Sequence, residues 1–148
     1  MKNREGGFLI SKVKQISSRV FDKKLKNYDI TDLNSAQGRI IFVLWKNDDR
    51  SISDLVTNTA LSKTTLSSML DRLEQAGHIK RALDKNDKRR TIISLTEKSK
   101  QLKKKYEDVS NEMIDLFYKG LSEEQIDEFE RTLQHILNNL ITYEREQK

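Results

Sequence analysis

Residues 51–96 read SISDLVTNTALSKTTLSSMLDRLEQAGHIKRALDKNDKRRTIISLT, and the order of signals in this stretch decides the fold. Ser51 with Asp54 opens a short helix to about residue 58, because a serine hydroxyl accepts from a free N–H of the first turn. Ser62 opens a second helix. In it Leu66, Met69, Leu70 and Leu73 recur at spacings of three and four, the stripe of an amphipathic helix. Gly77 falls just past its end, where a left-handed cap is wanted. Residues 79–84 and 90–95 then have β-type composition, with Ile79 and Leu83 on one side and Thr91, Ile92, Ile93 and Leu95 on the other. Between them Lys85-Asn86-Asp87-Lys88-Arg89 is a turn with no bulky apolar residue, so the pair reads as a hairpin. The stretch is a helix-turn-helix followed by a β wing.

The polar residues of this stretch fall into two groups. Lys63, Thr64, Thr65, Ser67, Ser68 and Arg72, with Ser62 at the cap, lie off the apolar stripe. Lys85, Lys88, Arg89 and Arg90 crowd the wing. A DNA duplex accepts a helix in its major groove and an Arg in a narrow minor groove, which is the pairing this arrangement offers. Hydroxyls can meet base edges or phosphates, and Lys63 near the helix start suits a phosphate. The plainer reading is a solvated helix face. Against it, small and basic residues cluster opposite the stripe, with few acids, directly before a basic wing. Arg89 reads as a minor-groove finger or as a surface charge paired with Asp87 or Asp71, and both can hold. Lys80, Arg81, Lys85, Lys88 and Arg90 read equally as phosphate contacts or solubility charges.

Outward from the wing the chain is helical. Leu9, Val13, Ile16 and Val20, with Phe21 and Leu25 beside them, mark an amphipathic helix over residues 8–27. Residues 28–33 read as a loop. Asn34 with Gln37 is a capping-box pattern opening a helix whose run at residues 40–45 is apolar on almost every side, so it is expected to be buried. Residues 46–50 read as a polar turn. Thr96 caps a long helix with Leu102, Tyr106, Val109, Met113, Leu116 and Phe117, which Gly120 ends. Ser122 with Gln125 opens a last helix bearing Ile126, Phe129, Leu133, Ile136, Leu137 and Leu140. The expected fold is mainly α with a small two- to three-stranded antiparallel β wing. Residues 1–33 form an N-terminal helix and loop, 34–96 a DNA-binding lobe, and 97–148 a linking helix and a last helix. The end helices carry more apolar stripe than so small a middle can cover. Their simplest sink is a second copy of the chain, through Leu9, Val13 and Ile16 and through Leu133, Leu137 and Leu140.

Composition agrees. The 148 residues carry a net charge of +5, with 35% hydrophobic and 34% charged residues, a balance suited to long exposed helices. Basic residues concentrate at 80–90, whereas Glu123, Glu124, Asp127, Glu128 and Glu130 make a solvated, dipole-compatible helix start. There is no Cys, which excludes disulfides and thiol redox sensing. His78 and His135 lie far apart and match no zinc spacing, and His78 beside Gly77 reads as a helix-end residue. No glycine-rich phosphate loop, nucleophile–His pattern or metal cluster supports an enzyme, so no cofactor or metal is expected. No stretch approaches a signal peptide or a membrane span, and a cytoplasmic protein is expected. A winged helix used as a protein-docking module or for replication initiation is the alternative. The long end helices disfavour the latter.

The chain resembles the MarR family of bacterial transcription regulators over residues 8–141. The pieces that carry the resemblance are Leu33-Asn34-Ser35-Ala36-Gln37, Asp71-Arg72-Leu73-Glu74-Gln75-Ala76-Gly77, Asp84-Lys85-Asn86-Asp87-Lys88-Arg89 and Ile93-Ser94-Leu95-Thr96, in order and at the right spacing. The resemblance implies an obligate, triangular homodimer whose first and last helices knit together and whose lobes straddle a pseudo-palindromic operator. It implies repression of nearby genes, with DNA released when a small aromatic or lipophilic effector enters a cleft between dimer and lobe. Phe8, Tyr28, Phe42 and Trp45 could line such a cleft, although Phe42 and Trp45 read somewhat better as core aromatics. Asn86 stands where the family often has Arg, and Ser99 where it often has Gly. Arg89 matches the family's minor-groove Arg, and the Cys of its peroxide-sensing branch is absent.

Overall fold

The computed structural model describes residues 3–147. Its elements run α1 (Gly6–Asn27), α2 (Ser35–Lys46), β1 (Arg50–Ser51), α3 (Ile52–Thr59), α4 (Lys63–Gln75), β2 (Ile79–Leu83), β3 (Thr91–Leu95), α5 (Glu97–Phe117) and α6 (Glu123–Glu146). The described residues fall into two compact units, one ending at Ser110 and the other beginning at Asn111, so α5 contributes to both.

The helix starts form where local chemistry asks for them. Asn34 Oδ1 accepts from the Gln37 N–H at 2.8 Å while Gln37 Oε1 accepts from the Asn34 N–H at 3.2 Å, a complete capping box. Ser122 and Gln125 do the same at 3.2 and 2.9 Å. Ser51 Oγ accepts from Asp54 N–H at 3.1 Å, and Ser62 Oγ from Thr65 N–H at 3.2 Å. Thr96 Oγ1 accepts from Ser99 N–H at 3.4 Å and donates to the Gly77 carbonyl at 2.6 Å, fastening α5 to the end of α4. Gly77 turns at φ +82°, a left-handed conformation that a side chain would strain.

The sheet is antiparallel in the order β1-β3-β2. Ile79 pairs with Leu95 and Leu83 with Thr91, which puts the wing turn at residues 84–90. The third strand corrects the reading of residues 46–50 as a plain turn, since Arg50 pairs with Ile93 and Ser51 with Ile92. Two residues carry no periodicity to detect. Long-range contacts seat the strand: Asp49 turns at φ +56°, and Asp48 Oδ1 accepts from the Leu95 N–H at 3.0 Å.

The first unit holds the core. Leu66, Leu70 and Leu73 of α4 are fully buried, with Ile40, Ile41 and Leu44 of α2 and Leu55 of α3. Gly38 lies against Tyr106 of α5, whose ring packs 5.6 Å from Phe21 and 4.8 Å from Trp45. Residues 40–45 are not buried all round, because Phe42 faces solvent with Lys46 Nζ 4.6 Å above its ring. The second unit is different. Tyr118 stacks edge-on with Phe117 and Phe129 and donates to Glu130 at 2.6 Å, yet no residue of α6 is buried. No helix among the described residues is long and apolar enough to cross a membrane.

Candidate DNA-binding surface

The buried leucines of α4 fix which of its side chains face out. Lys63, Thr64, Thr65, Ser68 and Arg72 are exposed and Ser67 is half-buried. Ser62 is the helix cap. Its hydroxyl accepts from the Thr65 N–H and donates to Thr65 Oγ1 at 2.9 Å, so its first role is to hold the helix start.

The wing turn is tied by its own acids. Asp84 Oδ1 accepts from the Asn86 N–H at 2.9 Å, and its backbone N–H donates to the Arg90 carbonyl at 2.9 Å. Asp87 Oδ1 accepts from both the backbone N–H and Nε of Arg89, each at 3.1 Å. These bonds, the Arg89 side chain first, hold the Asp87 carboxyl below the usual range, so it is ionised at neutral pH. The Arg89 side chain is nonetheless 91% exposed. It is oriented at its root and open at its tip.

The second acid offered as a partner for Arg89 belongs elsewhere. Asp71 accepts from Arg81 at 2.7 Å, and Glu74 lies 3.7 Å from the same guanidinium. Through Arg81 this pair of acids links β2 to α4. Arg90 lies 3.7 Å from Asp84, while Lys80, Lys85 and Lys88 stand exposed.

Between α3, the start of α4 and the wing lies an open groove of about 580 Å³, lined by Ser51, Ile52, Ser53, Val56, Thr57, Lys63, Arg89, Arg90 and Thr91. Three cations from two separate sequence groups thus meet a row of hydroxyls. The fold brings Lys63 beside Arg89 and Arg90, a convergence suited to a polyanionic strand. Ser53 and Thr57 were not among the residues singled out from sequence. The only signal was their i, i+4 spacing on a short helix, which puts both on one face.

His78 stands at the end of α4 as read, its N–H donating to the Leu73 carbonyl at 2.9 Å, but its ring does more than end a helix. It is fully buried. Nδ1 lies 2.8 Å from Ser99 Oγ, and Nε2 lies 3.0 Å from Asp32 Oδ2 without the alignment of a hydrogen bond. Burial foremost, with Lys98 adding to it, holds the imidazole below its ordinary range, although Asp32 pulls the other way.

The four aromatic candidates occupy two settings. Tyr28 and Trp45 pack against the core, and Trp45 Nε1 is buried without an acceptor among the described residues. Phe8 and Phe42 are exposed, each beneath a lysine. Of the apolar stripes, Leu9, Val13 and Ile16 of α1 and Leu137 and Leu140 of α6 are exposed, and Leu133 is half-buried. Among the described residues no group of His, Cys, Asp and Glu could hold a metal ion.

The architecture is that of a winged helix-turn-helix protein. Residues 33–91 match the model of the MarR family. The transcriptional repressor IacR of Pseudomonas putida is 28% identical over 111 residues, which cover 75% of this chain and 66% of IacR, just under two thirds of its length. The transcriptional regulator MgrA of Staphylococcus aureus is 27% identical over 125 residues, covering 84% of this chain and 82% of MgrA. Among solved structures, a MarR protein from Peptoclostridium difficile matches with a TM-score of 0.88 at 18% identity, covering 100% of this chain and 95% of that one. The S. aureus MepR–DNA complex matches at 0.79 and 23% identity, over 95% and 99% of the two chains. BpsR of Bordetella bronchiseptica, whose DNA binding is regulated by 6-hydroxynicotinic acid, matches at 0.80 and 18% identity, over 92% and 96%. Over residues 33–91 the chain is similar to the MarR family, and these two sequence relatives are transcription regulators.

Proposed function

We propose that this protein is a sequence-specific double-stranded DNA-binding regulator that acts in the cytoplasm as a homodimer on a pseudo-palindromic operator. The observation that carries the reading is the convergence of Lys63, Arg89 and Arg90 on one groove beside the exposed face of α4. Thr64, Thr65, Ser67 and Ser68 read base edges, Arg72 and Lys63 hold phosphates, and Arg89 enters the minor groove. Lys85, Lys88 and Arg90 add phosphate contacts. Residues 34–96 form the reading lobe. Residues 1–33 and 97–148 form the dimer, because the stripes of α1 and α6 lie open to water.

The proposed role is repression relieved by a small organic effector. The kinship with IacR, a repressor, and with BpsR, regulated by a small aromatic acid, supports this. Within this chain the buried, unaccepted N–H of Trp45 supports an effector carrying an acceptor atom on an apolar body. Such a ligand must bind better to the DNA-incompetent state, since equal affinity shifts nothing.

Selection of duplexes from a random pool should return inverted repeats with half-sites about one turn, ~10–10.5 bp, apart. Inserting about 5 bp between half-sites should abolish tight binding. The logarithm of the binding constant should fall linearly with the logarithm of salt concentration. Unchanged affinity after the insertion would overturn symmetric docking. Absence of any salt-dependent duplex binding would turn the reading to a protein-docking module.

A further inference from the structure

His78 sits where three pieces of the lobe meet. Its backbone N–H donates to the Leu73 carbonyl at 2.9 Å, closing the end of α4, and its carbonyl accepts from the Thr96 N–H at 3.1 Å, opening the sheet. Its ring faces Asp32, from the loop between α1 and α2, and Ser99, from α5. Lys98 of α5 completes the group. Its ammonium donates to Asp32 Oδ2 at 2.7 Å and to the Ala76 carbonyl at 2.7 Å, bonding the loop and the last turn of α4 at once.

The oxygen of Asp32 that faces His78 Nε2 is the one Lys98 already holds. Asp32 and Lys98 are the charged groups facing the ring, and they neutralise each other. A proton added to His78 would therefore place a cation in a fully buried position whose counter-charge is taken. We propose that His78 is a proton sensor at the root of the reading lobe: charging its ring unlatches the α1–α2 loop from the junction of α4 and the wing, and mild acid thereby weakens DNA binding. The DNA-binding part of this proposal rests on the function proposed above.

The direction of the titration agrees with the geometry. The folded ring is held below the ordinary imidazole range, burial being the largest cause. The unfolded chain therefore takes up the proton first. The ring's contribution is complete above about pH 6.5 and is lost as pH falls below it. Burial pushes the Asp32 carboxyl up, but Lys98 and His78 outweigh it and hold it below the usual range, so it is ionised throughout that window.

The test compares wild type with His78→Leu and His78→Gln at pH 7.5 and 5.5, at matched protein concentration and ionic strength. In urea unfolding, the wild-type unfolding constant should rise up to about tenfold more than that of either variant between the two pH values. His135, exposed on α6, is common to all three proteins, so its contribution cancels in the comparison. The same offset at both pH values, as a packing defect alone would give, overturns the proposal. In the second arm, anisotropy with a labelled duplex taken from the random-pool selection should show a several-fold loss of wild-type affinity at pH 5.5 and no comparable loss in the variants. Equal losses in all three overturn the coupling to DNA. If wild type binds no duplex even at pH 7.5, the DNA-binding reading has failed, and the unfolding arm still judges the sensor.

Discussion

α4 and α6 carry the same kind of apolar stripe and meet different fates. In α4, Leu66, Leu70 and Leu73 are fully buried, and the helix packs against α3 and β2. In α6, Ile136, Leu137 and Leu140 are exposed, and no residue of its 24 is buried. A stripe is a demand for cover, and nothing in its periodicity says whether the same chain supplies it. Here the stripe of α4 is covered by the rest of its own chain, while that of α6 stays exposed and is the surface proposed for a second copy.

The largest expected effects lie in the lobe. Leu70→Ala should cost about 2–5 kcal/mol in urea unfolding, because a fully buried leucine leaves a cavity when truncated. Next comes Gly38→Ala. Its new methyl would collide with the Tyr106 hydroxyl and lie 2.8 and 2.9 Å from two ring carbons, and Tyr106 is wedged between Phe21 and Trp45. A loss of about 1–3 kcal/mol is expected. Adding Tyr106→Phe should recover part of it, since the nearest atom goes and the ring stays. Additive losses in that pair would mean that α2 and α5 separate freely and that the core around Tyr106 is looser than that around α4.

Arg89→Ala sharpens the contrast between what holds the lobe together and what it does. It should weaken duplex binding by roughly 1–3 kcal/mol, most on A·T-rich flanks, and leave the urea midpoint unchanged. Lys63→Ala should lower affinity on all sequences and reduce the salt slope by about one phosphate's worth. If Arg89→Ala binds both flanks as wild type does, the wing is a structural hairpin only.

The smallest expected effect on folding is at Leu140, 64% exposed, where Ala should change the stability of a single chain by no more than about 0.5 kcal/mol. Its visible consequence belongs to association. Leu137→Asp with Leu140→Asp should reduce the light-scattering mass from twice 17.4 kDa to 17.4 kDa. A pair of aspartates that leaves the mass at the dimer value would end the comparison, because the stripe of α6 would then have no partner to lose.

The helices, their caps and the hairpin were legible in the sequence because each is specified within a few residues. Asn34 with Gln37, Ser122 with Gln125 and Gly77 appear in the structure as read. The polar face of α4 was legible for the same reason, since stripe and face are complements. The groove was half legible. Lys63 and Arg89 stood out by composition, but Ser53 and Thr57 join them only because α3 turns that face toward the wing.

What the sequence by itself determined is therefore the set of elements and the chemistry each one displays, since capping, periodicity and turn formation act over one or two turns of chain. The tertiary structure alone decided the partners. Asp71 holds Arg81 rather than Arg89, residues 50 and 51 become a strand because β3 offers an edge, and Phe42 escapes a helix that is apolar on nearly every side. His78 is the plainest case. Its neighbours Asp32 and Ser99 stand 46 and 21 residues away along the chain. Whether an imidazole is a solvated helix end or a buried, uncharged group is set by what such distant segments place around it.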